Sequence, residues 1–317
     1  MPETLVTAAS PRVTVIIPTY NWSSVLPYSI GSVLRQSFTD FELLVVGDCC
    51  TDDSAQVVAA IADPRVRWIN LPVNHGHQFG PNSEGLRQAR GSIIAYLGHD
   101  DLWLPHHLEM LVAAIDAGAG VAHSIVHMID ALGNILLPNR GMLQYEPGRS
   151  MPPSGVVHRR IASEKVGGWR DYHTLSVDPE TDLWERMQQA GFTIQFVPRL
   201  TAVKFPASGR KDVYKVRSSH EQRQWTERIL TEPDLEAVEL GKLLLVADVE
   251  LPPTMFSVVF RAMLGQAKAG SIRWRMLFSL RTLLSSGRLQ PPERGGAIAW
   301  TQKFKGVEKP NNQDELG

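Results

Sequence analysis

The sequence predicts an α/β domain with a mostly parallel sheet flanked by helices, followed by a C-terminal helical extension. Short β-branched runs alternate with helical patterns over roughly the first 120 residues. Polar clusters follow the ends of those runs. From Pro206 onward the strand signal gives way to apolar residues at helical spacing.

The elements follow in order. Val13 to Ile17 is a β-branched run closed by Pro18, the pattern of a buried strand. Ser23 and Ser24 are placed to cap a helix running towards Gln36, with Pro27 in its first turn. Phe41 to Val46 repeats the strand pattern, and Asp52 or Asp53 then caps a helix through Val57, Val58 and Ile61. Val66 to Leu71 is a third strand, Ser83 to Arg90 a helix stopped by Gly91, Ser92 to Leu97 a fourth strand, and Pro105 to Ala117 a helix ended by Gly118. Val121 to Asp130, the turn at Gly133-Asn134 and Ile135 to Leu137 read as a hairpin. A short helix over Ser163 to Val166 ends at Gly167-Gly168, and a longer one over Glu180 to Ala190 ends at Gly191. Strands over Phe192 to Val197 and Ala202 to Phe205 complete a domain spanning 1–205.

In the extension, 206–305, helices are expected over Glu221 to Leu230 and Leu235 to Val249. Two further apolar sets follow, one around Phe256, Phe260 and Leu264, the other around Leu277, Leu280 and Leu284. Arginines 273, 275, 281 and 288 flank the second, beside Trp274. A helical cover or homodimer contact is one reading of this region; a helix pair lying on an anionic membrane surface is the other. The polar end, 306–317, has the composition of a disordered tail.

Composition excludes several classes. Lys plus Arg number 32 and Asp plus Glu 33 in 317 residues, so a nucleic-acid binder working by bulk positive charge is excluded. No stretch reaches the about 18 uninterrupted apolar residues of a spanning helix. The only cysteines, Cys49 and Cys50, are adjacent, which suits neither a structural disulfide nor a zinc site and fits a reducing compartment. "MPETLVTAASPRVTV" lacks the basic-then-apolar layout of a signal peptide. The expected location is the cytoplasm, peripheral to the inner face of the membrane if the basic helices bind lipid.

Ligands of open α/β sheets sit at the carboxyl ends of strands. The polar clusters after Ile17, Val46 and Leu97 fall there, and three acidic stretches carry the chemistry. In "VVGDCCTDDS", Asp48 can accept from an N–H donor such as a nucleobase edge, or serve only in a helix-capping loop. In "YLGHDDLWLP", Asp100 and Asp101 offer carboxylates and His99 a nitrogen, a set suited to Mn²⁺ or Mg²⁺; Asp101 also suits a helix start. In "SVDPETDLWERM", Glu180 and Asp182 are favoured at a helix N-terminus in any case, and either carboxylate can serve as a general base. Scattered histidines 75, 77, 106 and 107 read as surface residues before ligands, and Lys204 is placed to reach a phosphate.

Five stretches, "VTVIIPTYN", "VVGDCCTDDS", "GLRQARGSIIAYLGHDDLWLP", "SEKVGGWRD" and "ETDLWERM", stand in the order and separation of family 2 inverting glycosyltransferases. The resemblance covers roughly residues 12–205 and implies the GT-A fold, a Rossmann-like sheet. By that resemblance Pro18, Thr19, Tyr20 and Asn21 line the nucleotide base, Asp48 faces it, and Asn82 and Asp101 belong to the donor-nucleotide site. Asp100 matches the metal-ligating carboxylate, with His99 beside it, and Glu180 stands at the base position, where the family has Asp. The pattern departs at Gly47 and Gly98, where the family has carboxylates, and before Asn82, where its arginine is missing. Trp169 and Asp182 are candidates for the acceptor side, with core packing the competing role for Trp169.

The resemblance implies a metal-assisted single displacement. A nucleotide-sugar donor gives its sugar, with inversion, to a hydroxyl of a carbohydrate or glycoconjugate acceptor, as in polysaccharide synthesis. A non-catalytic nucleotide- or sugar-binding module on the same fold is the alternative. A nucleotidyltransferase ranks lower, because "PTYNWSS" lacks a glycine-rich phosphate loop.

Overall fold

The structure is a computed structural model that describes residues 10–136, 145–207 and 210–247. The apolar sets around Phe256 and Leu277, Leu137, and the tail lie outside the described residues. The strands are Val13–Thr19 (β1), Phe41–Gly47 (β2), Val66–Asn70 (β3), Ile93–Tyr96 (β4), Leu102–Trp103 (β5), Val121–Ile129 (β6), Ile135–Leu136 (β7), Val156–Arg159 (β8) and Ile194–Lys204 (β9). The helices are Leu26–Leu34 (α1), Ser54–Ala60 (α2), Phe79–Gln88 (α3), His107–Asp116 (α4), Arg160–Lys165 (α5), Pro179–Gln189 (α6), Val213–Val216 (α7), His220–Thr231 (α8) and Leu235–Ala247 (α9).

One sheet runs in the order β3-β2-β1-β4-β8-β6-β9-β5, with β7 paired to β6. The first four strands are parallel, as the alternation predicts. Alternate residues of β1 face opposite cores. Val13, Val15 and Ile17 pack with α1 and α4; Ile16 packs with Tyr96 and with Leu183, Trp184 and Met187 of α6. Both faces of β1, β2 and β4 are therefore buried, which is why these three read as continuous apolar runs, whereas the edge strand β3 is half-buried.

Several boundaries differ from expectation for identifiable reasons. β1 continues through Pro18 to Thr19, because the β4 ladder on that side ends at Ile16 and the missing N–H has no partner to disappoint. Neither Ser23 nor Ser24 caps α1: a 3-10 turn, Ser23–Val25, precedes it, and Asp52 accepts from the Ser23 N–H at 3.1 Å. Asp52 also accepts from the Ser54 N–H at 3.2 Å, so it guards the start of α2, while Asp53 makes no capping bond. α3 begins at Phe79, four residues before Ser83, with Pro81 tolerated in its first turn. The two strands expected around Pro198 are one, β9, whose register against β6 shifts at Ile125.

The described part of the extension packs on the sheet. Trp225 of α8 and Leu235 of α9 share a core with Leu102, Leu104, Val203 and Phe205. Glu236 pairs with Arg199 at 2.8 Å, and buried Glu239 pairs with buried His127 at 3.0 Å. The segment around α7 returns over the strand ends, placing Val213 against Trp22 and Val25. Among the described residues, no helix is long and apolar enough to cross a membrane.

Candidate active site

The site lies where β1, β2 and β4 end. At the end of β1, Asn21 takes a left-handed backbone, φ 44°, a conformation Asn tolerates better than most residues. Its side-chain oxygen accepts from the Thr51 N–H at 2.7 Å and from Asp52 N–H at 3.3 Å. Asn21 thereby joins the loops after β1 and β2. Thr19 and Pro18 are buried strand residues and Tyr20 is half-buried at the strand end.

Asp48 is buried at the end of β2, and its own N–H donates to the Thr19 carbonyl at 2.8 Å. Its carboxylate accepts from the backbone N–H of His75 at 2.9 Å and of Gly76 at 3.0 Å; the His75 ring lies at 3.0 Å. Burial raises its pKa, and the His75 and Gly76 contacts oppose that rise. Asp48 thus holds the loop that leads into α3.

The acidic turn after β4 splits by direction. Asp101 points inward and is fully buried: Ser154 donates its hydroxyl to Oδ2, Lys204 its ammonium at 3.0 Å, and the Phe205 N–H donates to Oδ1 at 3.2 Å. Asp100 is half-buried and faces a pocket lined also by Trp22, Phe205, Arg210 and Gln222. Desolvation first, and then the Asp101 charge, raise its pKa; His99 and Lys204 oppose the rise. The His99 Nδ1 lies 2.9 Å from Thr19 Oγ1, and its ring packs edge-on against Trp22 at 5.2 Å and beside Tyr214 of α7 at 6.0 Å.

Glu180, in the first turn of α6, completes the group. Its carboxyl is pushed up to about 7, by burial first and then by Asp178; Lys204 and Gln78 pull the other way. Gln78 donates from Nε2 to Glu180 Oε2 at 3.2 Å. Lys204, itself held charged by Asp101, Asp100 and Glu180 against its desolvation, ties the acidic turn electrostatically to the base candidate. Lys204 thus acts on both Asp100 and Glu180, residues far apart in sequence.

Other candidates are placed elsewhere or otherwise engaged. Trp169 is 6% exposed; its indole N–H donates to the Tyr96 hydroxyl at 3.0 Å and its ring meets Trp184, so it packs as core rather than walling an acceptor. Asp182 pairs with Arg186 at 2.7 Å and with Arg170 at 3.4 Å, tying α6 to the preceding loop. Asn82 is fully buried in α3, and neither its amide nitrogen nor its oxygen has a hydrogen-bond partner among the described residues. His107 stacks on Trp103 and bonds Thr201, with its pKa lowered well below normal by burial; His106 pairs with Glu236. Gln78, Ser154 and Tyr214 escape sequence reasoning, because no spacing marks them.

Residues 14–163 match the model of glycosyl transferase family 2. The chain carries a family 2 glycosyltransferase domain. An uncharacterised glycosyltransferase of Nostoc sp. is 30% identical over 172 residues, 49% of this chain and 53% of that protein. A GalNAc(5)-diNAcBac-PP-undecaprenol beta-1,3-glucosyltransferase of Campylobacter jejuni is 33% identical over 156 residues, 47% of each chain. The matched segments thus span about half the length of these relatives. The structure of Staphylococcus aureus TarS 1-349 in complex with UDP-GlcNAc superposes with a TM-score of 0.55 at 16% identity over 79% of each chain, a likeness of fold that identifies the GT-A architecture.

Against the family 2 pattern, the two glycines are not empty positions. A Cβ on Gly47 would stand 2.5 Å from Asn70 Oδ1 and 2.7 Å from the Trp68 ring. A Cβ on Gly98 would stand 2.7 Å from Asp101 Oδ2. A side chain at either position would therefore have to displace a neighbour.

Among the described residues no group of three His, Cys, Asp or Glu side chains forms a metal cluster. Gln222 donates to the Asp100 backbone carbonyl at 3.0 Å, whereas the Asp100 carboxylate accepts no hydrogen bond from another residue among those described and faces the pocket. That fits a cation held by one carboxylate, with donor phosphate and water completing its shell.

Proposed function

We propose that the domain transfers a sugar from a nucleotide-sugar donor to an acceptor hydroxyl, with inversion at the anomeric carbon. What supports this reading is the Glu180 carboxyl in the first turn of α6, hydrogen-bonded by Gln78 and pushed up to about 7 by burial, with Lys204 acting both on it and on the pocket-facing Asp100. A general base is most effective when its pKa lies near the working pH. Glu180, ionised, removes the acceptor proton as the acceptor oxygen attacks the sugar. Asp48, Asn82 and the strand-end residues Pro18, Thr19, Tyr20 and Asn21 take the nucleotide. A donor group reaching Asn82 would satisfy its orphaned amide, which otherwise carries a desolvation penalty.

Asp100 is the residue that would hold Mn²⁺ or Mg²⁺, with His99 next to it and its Nδ1 committed to Thr19. When bound, the cation offsets negative charge on the departing diphosphate. Lys204 contributes positive charge to the same region from the protein itself. The acceptor is proposed to be a carbohydrate or glycoconjugate of polysaccharide synthesis, reached at the inner face of the membrane. The Campylobacter relative, whose name specifies an undecaprenol-linked acceptor, supports that reading. The test is release of nucleoside diphosphate from a panel of nucleotide sugars, with and without Mn²⁺. Glu180→Gln and Asp100→Ala should each lose at least about a hundredfold in turnover. Wild-type turnover in both variants, or nucleotide binding with no turnover in the wild type, would reject the assignment.

A further inference from the structure

We propose that Gln78 is a positioning residue for Glu180, and that the rings of His77, Phe79 and Tyr172 hold it in place. The proposal rests on the reading of Glu180 as the general base. The Gln78 amide reaches Glu180 Oε2 at 3.2 Å from the residue immediately before α3. Its carbonyl accepts from the Asn82 N–H at 2.9 Å, which anchors its backbone to the first turn of the helix.

The residues on either side of Gln78 are pinned to a second loop. His77 stacks on Tyr172 with centroids 5.1 Å apart and planes at 27°. Phe79 meets the same ring at 5.9 Å. Tyr172 opens the 3-10 turn Tyr172–Thr174, fixed by Asp171, whose carboxylate accepts from the His173 N–H at 2.9 Å. That turn precedes α6, which carries Glu180. The donor thus stands at the start of α3 and the acceptor at the start of α6, and the aromatic contacts tie the residues flanking Gln78 to the turn that precedes α6.

The chemistry explains why such a clamp is useful here. Glutamate has one more rotatable bond than the aspartate that the family pattern places at this position, so its carboxylate samples more directions unless something selects one. An amide N–H selects a direction without competing for the acceptor's proton, since it donates only and stays neutral. The charged groups acting on Glu180 are Asp178, which opposes ionisation, and Lys204, which favours it. Gln78 adds a neutral hydrogen bond to the ionised form.

The experiment uses the full chain with Gln78→Leu, Tyr172→Ala and Glu180→Gln. UDP-glucose and UDP-N-acetylglucosamine are the probe donors, their hydrolysis followed against pH. In parallel, ¹³C-carboxyl-labelled glutamate reports the Glu180 titration by NMR, assigned by its loss in Glu180→Gln. Gln78→Leu is expected to lower kcat about tenfold with KM and UDP affinity within about twofold. The acid limb and the NMR midpoint should both move up by about one pH unit. Tyr172→Ala, which removes the ring that His77 and Phe79 pack against, should shift both in the same direction by less. An unchanged Glu180 midpoint in Gln78→Leu overturns the positioning role. Loss of turnover in Glu180→Gln alongside an unaffected Gln78→Leu rejects the clamp alone, whereas full turnover in Glu180→Gln rejects the base assignment.

Discussion

Replacing Lys204 by methionine tests the charge arrangement of the site most directly. The substitution keeps the apolar stem and deletes the ammonium that lies 3.0 Å from Asp101 Oδ2. Asp101 is fully buried while the Lys204 side chain is 28% exposed, so the loss falls on the carboxylate. The Ser154 hydroxyl and the Phe205 N–H remain on Asp101, but its charge then stands uncompensated beside Asp100. Removing one partner of a buried pair costs about 3–5 kcal/mol. The two surviving donors and the partial exposure of Lys204 put this case at the lower end, about 3 kcal/mol. For a chain of this size each kcal/mol moves Tm by about 2–4 °C, so calorimetry should show a fall of about 6–12 °C. Asp101→Asn in the Lys204→Met background removes the stranded charge and should recover most of that fall. Because Lys204 also favours the ionised forms of Asp100 and Glu180, the acid limb of kcat/KM should move to higher pH in the single variant. A Tm change below about 2 °C, or a double variant no more stable than the single, would refute this account of the site.

Glu180 itself makes activity depend on pH. With its pKa near 7, the ionised fraction, and with it kcat/KM, should rise about tenfold between pH 6 and pH 8; a limb centred at the ordinary glutamate value would contradict the assignment. The same raised pKa means that the folded chain holds this proton longer than the unfolded chain. Its contribution to stability is therefore full below the ordinary glutamate value and is lost as pH rises through about 7, which chemical denaturation of wild type against Glu180→Gln at several pH values will measure. Asp48→Ala should weaken nucleotide affinity by about tenfold in titration calorimetry, since it deletes the acceptor proposed to face the base and releases the loop at His75 and Gly76. Gly98→Asp, which restores the family residue, should lower stability by about 1–3 kcal/mol through overpacking and leave Mn²⁺ affinity unimproved.

The parallel half of the sheet was legible because β1, β2 and β4 are buried on both faces and all four strands are bounded by turn residues, the edge strand β3 being only half-buried. What escaped was short or antiparallel. β5 is two residues long and β8 four, lengths at which neither period can be told from a loop. β9 looked like two strands because Pro198 interrupts it, and only the register shift on β6 shows how the sheet absorbs that residue. The helices α8 and α9 were legible as helices, but their attachment to β5 and β9 through Trp225, Leu235 and Glu236 depends on contacts far apart in sequence.

At the site, residue type was readable and direction was not. Asp100 and Asp101 are equivalent in sequence, yet one faces the pocket and the other closes on Lys204, Ser154 and Phe205. The same distinction changes the meaning of the two glycines. Read along the chain, Gly47 and Gly98 are deletions of carboxylates. In three dimensions each is the small residue that lets a neighbour take the space: Asn70 and Trp68 at one, Asp101 at the other. Asn70 uses that position to accept from the Cys50 N–H at 2.8 Å, and Asp101 uses its own to bind Lys204. At both positions a side chain on the glycine would press on a neighbour that is already bonded. An acid at position 98 would crowd the buried Asp101 carboxylate first, at 2.7 Å from the new Cβ, and then Asp100 at 3.3 Å, so it would disturb the acidic turn rather than simply add a third carboxylate to it.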